Sequence, residues 1–176
     1  MKIALIAPPY PLEEAPSPPL GISYVAAACE AAGATVRVFD FIVSRYTPEK
    51  LGEALDLFQP DAVGATSVTM NFHQAASIIR DTKRHNPDII TMMGGPHVSF
   101  DIENTLKNYP ELDLIVVGEG EQTLSELVPV LTSREKWEKI SGIAFRKKGE
   151  VFVTPTRPFI EDLDSLPTPA RHLLPM

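Results

Sequence analysis

Three short segments of this 176-residue chain carry residue types able to hold a ligand, and a fourth carries types that exclude one kind of ligand. In Thr91-Met92-Met93-Gly94-Gly95-Pro96-His97, an apolar run gives way to two adjacent glycines. Losing two Cβ atoms there lets a large group approach the backbone closely, although Gly-Gly-Pro also suits a plain tight turn. Thr66-Ser67-Val68-Thr69-Met70-Asn71 sets hydroxyls among apolar side chains. A hydroxyl both donates and accepts, which suits a heteroaromatic nitrogen or a ribose; Ser67 or Thr69 could equally cap the next helix. Gly118-Glu119-Gly120-Glu121 places two carboxylates at a helix start, where complementing the helix dipole is a simpler role than a catalytic pair. The fourth segment, Pro8 to Pro19, has prolines at 8, 9, 11, 16, 18 and 19 and cannot build an amide nest around a phosphate.

The remaining reactive types are few. His97, after its Gly-Gly-Pro turn, reads as a capping or surface residue rather than a ligand or base. Cys29 is the single cysteine, which excludes an internal disulfide and a complete cysteine-ligated metal site within the chain. Its neighbours Tyr24, Val25, Ala26, Ala27 and Ala28 make it a small core residue. No catalytic set and no metal-ligating set emerges.

Periodicity supplies the scaffold. Lys2 to Ala7 is a continuous apolar run of the kind buried on both faces of a parallel sheet. Ile22 to Ala32 is an alanine-rich helix stopped by Gly33, and Thr35 to Phe39 alternates as a strand. Pro48 opens a helix to Phe58, Asp61 to Thr66 is the third strand, and Asn71 caps a helix to His85. Ile89 to Met93 is the fourth strand, Ile102 to Asn108 a helix, Leu112 to Val117 the fifth strand, and Gln122 to Leu131 a helix. This alternation predicts an α/β, Rossmann-like (flavodoxin-like), doubly wound parallel five-stranded sheet of order 2-1-3-4-5, because crossovers are right-handed. In such a sheet the four segments above meet at the carboxyl edge of the strands, with the switch point between strands one and three.

After Trp137 the pattern changes. Ile140 to Arg146 and Val151 to Thr154, around Lys147-Lys148-Gly149-Glu150, predict a β-hairpin that Arg146, Lys147 and Lys148 merely decorate. Pro155 to Met176 has no helical period and reads as an extended arm. The expected division is 1–135 for the Rossmann-like domain and 136–176 for hairpin and proline-rich connector. Leu173-Leu174-Pro175-Met176 would leave apolar residues without a partner, so the chain is expected to be the front of something longer.

Composition narrows the function. With 44% hydrophobic and 22% charged residues the chain has the balance of one ordinary domain. A net charge of -7 argues against nucleic acid. No apolar run is long enough to span a bilayer and no signal peptide is evident, so no membrane partner is expected and the cytoplasm is the default. A phospho-receiver would need acidic residues after strand one and an aspartate ending strand three, where this chain has Pro8, Pro9 and Thr66.

Four fragments in register carry a resemblance: Pro18-Pro19-Leu20-Gly21-Ile22-Ser23-Tyr24; Met93-Gly94-Gly95-Pro96-His97; Val116-Val117-Gly118-Glu119-Gly120-Glu121; and Asp162-Leu163-Asp164-Ser165-Leu166-Pro167-Thr168-Pro169-Ala170-Arg171. Together they resemble the N-terminal part of cobalamin (B12)-dependent radical S-adenosylmethionine enzymes, which include methyltransferases and anaerobic Mg-protoporphyrin monomethyl ester cyclases. The resemblance implies a corrin lying over the carboxyl ends of the strands, its dimethylbenzimidazole tail buried beside the glycine pair. Carried over, Ser67 and Thr69 meet the nucleotide tail, Gly94, Gly95 and Pro96 line it, and Pro9, Tyr10, Val68 and Met70 lie near the lower corrin face. Gly118, Glu119 and Gly120 approach from the neighbouring strand. The wider cobalamin fold places Asp-x-His-x-x-Gly after strand one, its histidine on cobalt; this chain reads Ala7-Pro8-Pro9-Tyr10-Pro11-Leu12-Glu13. The resemblance therefore implies cobalamin held without a protein histidine on cobalt. With one cysteine the chain cannot hold the [4Fe-4S] cluster that cleaves S-adenosylmethionine, so both belong to a radical SAM domain expected as its C-terminal partner. Two other readings stay open: a docking or structural module whose crevice is closed by its own side chains, and a nucleotide- or flavin-binding domain.

Overall fold

A computed structural model describes residues 1–10 and 17–175. Pro11 and Pro16 of the proline-rich loop, and Met176, therefore lie outside the described residues. The strands are β1 (Lys2–Ala7), β2 (Thr35–Asp40), β3 (Ala62–Thr66), β4 (Ile90–Gly94), β5 (Leu114–Val116), β6 (Ile143–Lys147) and β7 (Glu150–Val153). The helices are α1 (Leu20–Ala31), α2 (Pro48–Phe58), α3 (Phe72–His85), α4 (Pro96–Phe100), α5 (Ile102–Asn108) and α6 (Gly120–Leu127). All seven strands form one sheet, ordered β2-β1-β3-β4-β5-β6-β7.

The first five strands are parallel in the expected 2-1-3-4-5 order. The sequence reading ended the sheet too early. The hairpin is an extension of the sheet, because β6 pairs antiparallel with β5 from Leu114↔Phe145 to Val116↔Ile143. Alternation of side chains divides the core. On one face Leu5, Ala62, Met92, Leu114 and Val116 pack with α1 and α6, and Trp137, Ile143 and Phe145 continue that layer. On the other, Ile6, Val63, Ala65, Met93 and Ile115 pack with α2, α3 and α5.

Three smaller expectations change. Asn71 holds the N-cap position of α3 as expected, but its side chain does not cap the helix; its Oδ1 accepts from the Val68 N–H at 2.9 Å, closing the loop after β3 on itself. Arg146 does not decorate the hairpin: its guanidinium donates to the carbonyls of Leu106, Tyr109, Pro110 and Leu112, tying the loop before β5 to β6. Leu173 is not left over either, since it packs against the α1/α6 core layer, and Ala170 is buried there.

The arm after β7 crosses the outer side of both helices on that layer. The Arg157 guanidinium donates to Glu126 of α6, and the Ile160 N–H to Glu119 Oε2 at 2.7 Å. Further on, the Ala170 N–H donates to Ser23 O of α1 at 3.0 Å, and His172 meets Glu30 at 3.3 Å. The arm thus ties α1 and α6 to each other from outside. Cys29 faces the core, and burial pushes its thiol up to about 12, as expected of a structural cysteine.

Candidate functional site

Side-chain size on the α1/α6 face creates a hollow. Register brings Leu5, Gly64 and Met92 into one row across β1, β3 and β4. Two residues further along, Thr66 lies beside Gly94. Two of these five positions lack side chains: Leu5 and Met92 close over Gly64, where a Cβ would meet them at 3.0–3.3 Å, whereas Gly94 opens onto the space beneath the helices. The result is a cavity of about 280 Å³ bounded by the sheet, by Gly21, Ile22 and Val25 of α1, and by Gly120, Glu121 and Leu124 of α6. That volume suits a flat bicyclic group and is below the size of a whole drug-sized ligand.

The lining grades from floor to mouth. Leu5, Ile22, Gly64, Met92, Val116 and Leu124 are all buried, and none of their side chains carries a polar atom capable of a strong hydrogen bond. The backbone polar groups of Leu5, Gly64 and Met92 face neighbouring strands on both sides within the ladder. At the mouth stand Thr66, Pro96, Gly118, Glu119 and Glu121. No Lys, Arg or His lines the cavity among the described residues.

The two glycines of the opening motif have different jobs. Gly95 adopts φ +103°, and a Cβ there would lie 2.4 Å from Ser67 O, so the protein's own backbone demands glycine. Gly94 is unconstrained in that sense: a Cβ would meet Val116 O at 3.7 Å, an ordinary contact, and project from a residue that lines the hollow. Gly95 therefore locks the end of β4 to the end of β3, where the Ser67 N–H donates to Gly94 O at 2.8 Å. Only Gly94 leaves free space.

Ser67 itself is fully buried, and its Oγ has no hydrogen-bond partner; Thr105 Oγ1 on α5 is the other such atom among the described residues. An unpaired buried hydroxyl costs about 1–3 kcal/mol. Ser67 sits in sequence between the lining residue Thr66 and the Val68 turn, and touches the lining residue Gly95.

The expected site residues thus divide into two groups. Gly94, Gly95, Pro96, Gly118, Glu119 and Gly120 line the hollow. Pro9, Tyr10, Ser67, Val68, Thr69 and Met70 do not; apart from buried Ser67, they follow β1 and β3 at the carboxyl edge, with Tyr10 and Met70 among the exposed large apolar side chains. Thr69 lies 3.3 Å from His97 Nδ1, and the His97 ring packs on Phe72 with centroids 4.1 Å apart. Glu119 is occupied by the arm through Ile160. The hollow also lies further along the sheet than the switch point, since β1 contributes Leu5 alone.

Sequence reasoning missed the floor. Gly64 had a signal, a glycine inside the apolar strand Ala62-Val63-Gly64-Ala65-Thr66, which marks close approach by another group. The start of α1, with Gly21 and Ile22, stood in a family fragment but was given no place in the site. Leu20 and Phe100, exposed at 48% and 92%, add apolar surface on the same edge and were also missed.

Known proteins share this arrangement. The family model described as "B12 binding domain" matches residues 14–128. An uncharacterized methyltransferase of Pyrococcus horikoshii is 34% identical over 100% of this chain, which spans 39% of that protein. The anaerobic magnesium-protoporphyrin IX monomethyl ester cyclase of Rubrivivax gelatinosus is 34% identical over 85% of the chain, which covers 28% of its length. Among solved structures, the cobalamin-dependent S-adenosylmethionine radical enzyme OxsB, with aqua-cobalamin and S-adenosylmethionine bound, superposes with a TM-score of 0.81 at 26% identity, over 96% of this chain and 24% of that one. The hollow under α1 and α6 is thus found in a chain that belongs to the B12-binding domain family.

Proposed function

We propose that this chain is the cobalamin-holding part of a B12-dependent radical S-adenosylmethionine enzyme, a methyltransferase or a Mg-protoporphyrin monomethyl ester cyclase-like protein. The observation that carries the reading is the apolar hollow of about 280 Å³ at the carboxyl edge, walled by Gly94, Gly95 and Pro96. In this reading the hollow takes the benzimidazole tail, Ser67 gives it a hydrogen bond, and Gly94, Gly95 and Pro96 wall it. Gly118, Glu119 and Gly120 close the side nearest β5. The corrin rests on the apolar edge formed by Pro9, Tyr10, Val68 and Met70, with Thr69 toward the nucleotide. Bound cobalamin supplies a redox-active, methyl-carrying cobalt.

The chain's own residues bind and orient the cofactor and contribute no catalytic group. The cofactor-holding domain runs from β1 through the β6–β7 hairpin, which extends its sheet, rather than ending at residue 135, and the arm after β7 leads toward a radical SAM domain that holds the [4Fe-4S] cluster and S-adenosylmethionine. The reading also places the protein in the cytoplasm, where a lone thiol stays reduced. A nucleotide or flavin phosphate fits less well, because the lining offers two glutamates and no cation. The hollow under α1 and α6 supports the binding reading over a structural module.

No histidine is proposed for cobalt. His73 is exposed, its ring 5.8 Å from that of Phe72, His85 pairs with Asp56 at 2.8 Å, His172 with Glu30 at 3.3 Å, and His97 with Thr69 and Phe72. Adding cobalamin at about 100 times its dissociation constant stabilises a binding protein by about 2.7 kcal/mol. For a chain of this size the melting temperature then rises by roughly 5–10 °C. No rise at saturating cobalamin contradicts the proposal. The electron paramagnetic resonance spectrum of the bound cobalt(II) form tests the ligand directly: splitting by an imidazole nitrogen would contradict the histidine-free reading.

A further inference from the structure

We propose that the hollow reads the base of the corrinoid tail, accepting a methylated benzimidazole and discriminating against a purine. The inference rests on the cobalamin reading above and deepens it.

The cavity is graded from a buried apolar floor to a more exposed mouth. Thr66 lies two residues beyond Gly64 on β3, roughly 7 Å along the strand, about the length of a bicyclic heteroaromatic. A tail base is joined to its ribose through the five-membered ring. That ring stays near the mouth, at the level of Thr66, while the six-membered ring goes to the floor. In a dimethylbenzimidazole the far end of the molecule is two methyl groups. In adenine it is an exocyclic amine and ring nitrogens.

The floor can serve only the first of these. Leu5, Ile22, Gly64, Met92, Val116 and Leu124 surround it, all buried. Their side chains offer methyl and methylene groups and one thioether, which pack well against methyls. The carboxylates of Glu119 and Glu121 stand at the other end of the cavity, and Glu119 is engaged by the Ile160 amide. A purine pushed to this floor would lose its water and find no replacement, and a buried polar group without a partner is penalised. The discrimination is therefore of the strong kind, in which the wrong ligand leaves polar groups unpaired.

Three corrinoids test this by equilibrium dialysis against the full chain: cobalamin, the same corrin with an adenine tail, and cobinamide, which has no tail base. Cobalamin is expected to bind at least tenfold more tightly than the adenine-tailed form, whose affinity falls toward that of cobinamide because its base stays outside. Equal affinity for the two tailed forms, with cobinamide weaker, overturns the selectivity and leaves the cobalamin reading standing. Equal affinity for all three shows that no base enters the hollow and overturns the selectivity too. Binding of none overturns both.

Discussion

The two ends of strands β4 and β5 are built on opposite principles. At their amino ends the buried side-chain polar groups are matched among the described residues. Asp113, just before β5, lies 2.7 Å from Lys83 Nζ and 2.8 Å from an Arg134 nitrogen, and accepts from the Thr91 N–H at 2.9 Å. Burial alone would raise the Asp113 carboxyl, but hydrogen bonds from Lys83 and Thr91 and the charges of Lys83 and Arg134 outweigh it and hold it below the usual carboxylate range. Arg146 gathers four carbonyls of the adjoining loop. At the carboxyl ends the pattern reverses. An apolar hollow opens under α1 and α6, and Ser67, after β3 on the same edge, buries a hydroxyl without a partner. One end holds the fold together, and the other carries the hollow proposed to take a ligand.

Substitutions at the two ends should therefore separate stability from binding. The largest effect is expected at Gly95→Val, where a Cβ 2.4 Å from Ser67 O adds overpacking to a left-handed φ. A cost of about 3–5 kcal/mol follows from those two terms together. The melting temperature should fall by roughly 10 °C or more. A stable Gly95→Val protein would show that the end of β4 is not locked to β3.

Next comes Asp113→Ala, which leaves Lys83 and Arg134 facing an empty site and should cost about 3 kcal/mol. Cobalamin affinity, measured on the folded fraction, should stay unchanged. The same carboxylate sets a pH dependence. Because its folded pKa is depressed, its stabilisation is present above the unfolded value near pH 4 and is lost as pH falls below that through the folded value. Acid titrations of melting temperature should therefore fall less steeply for Asp113→Asn than for the natural chain. Parallel curves would remove Asp113 from the account.

Ser67→Ala should split the two properties in opposite directions. The free protein should keep or slightly gain stability, because an unpaired buried hydroxyl is removed, while cobalamin affinity falls about 5- to 10-fold for one lost hydrogen bond. Equal affinity would mean that the hydroxyl does not meet the ligand. The smallest effect is expected at Glu119→Ala: no resolved change in melting temperature, but faster hydrogen exchange at the Ile160 amide, which loses its acceptor.

The parallel sheet was legible because buried strands such as Lys2 to Ala7 read as unbroken apolar runs between helical periods. The hairpin's place beside β5 was not, since nothing local in Ile143–Lys147 says which strand it pairs with. The loops of the site were legible for the same reason as the sheet: parallel strands send their carboxyl ends to one edge. The floor was hidden because it is assembled from α1, β1, β3, β4, β5 and α6, residues distant in sequence that only packing brings together. The glycine pair shows the limit most clearly. Sequence marks both residues alike, whereas contact distances give Gly95 to the fold and leave Gly94 to the hollow.

That distinction provides the most direct test of the account. Equilibrium dialysis of aquacobalamin against the natural chain and Gly94→Leu, with melting curves for both, asks whether the hollow is where the cofactor is held. The side chain added at Gly94 projects into free space, so the account predicts a melting temperature within a few degrees of the natural chain and at least tenfold weaker binding. Undiminished affinity in a folded Gly94→Leu protein would contradict it.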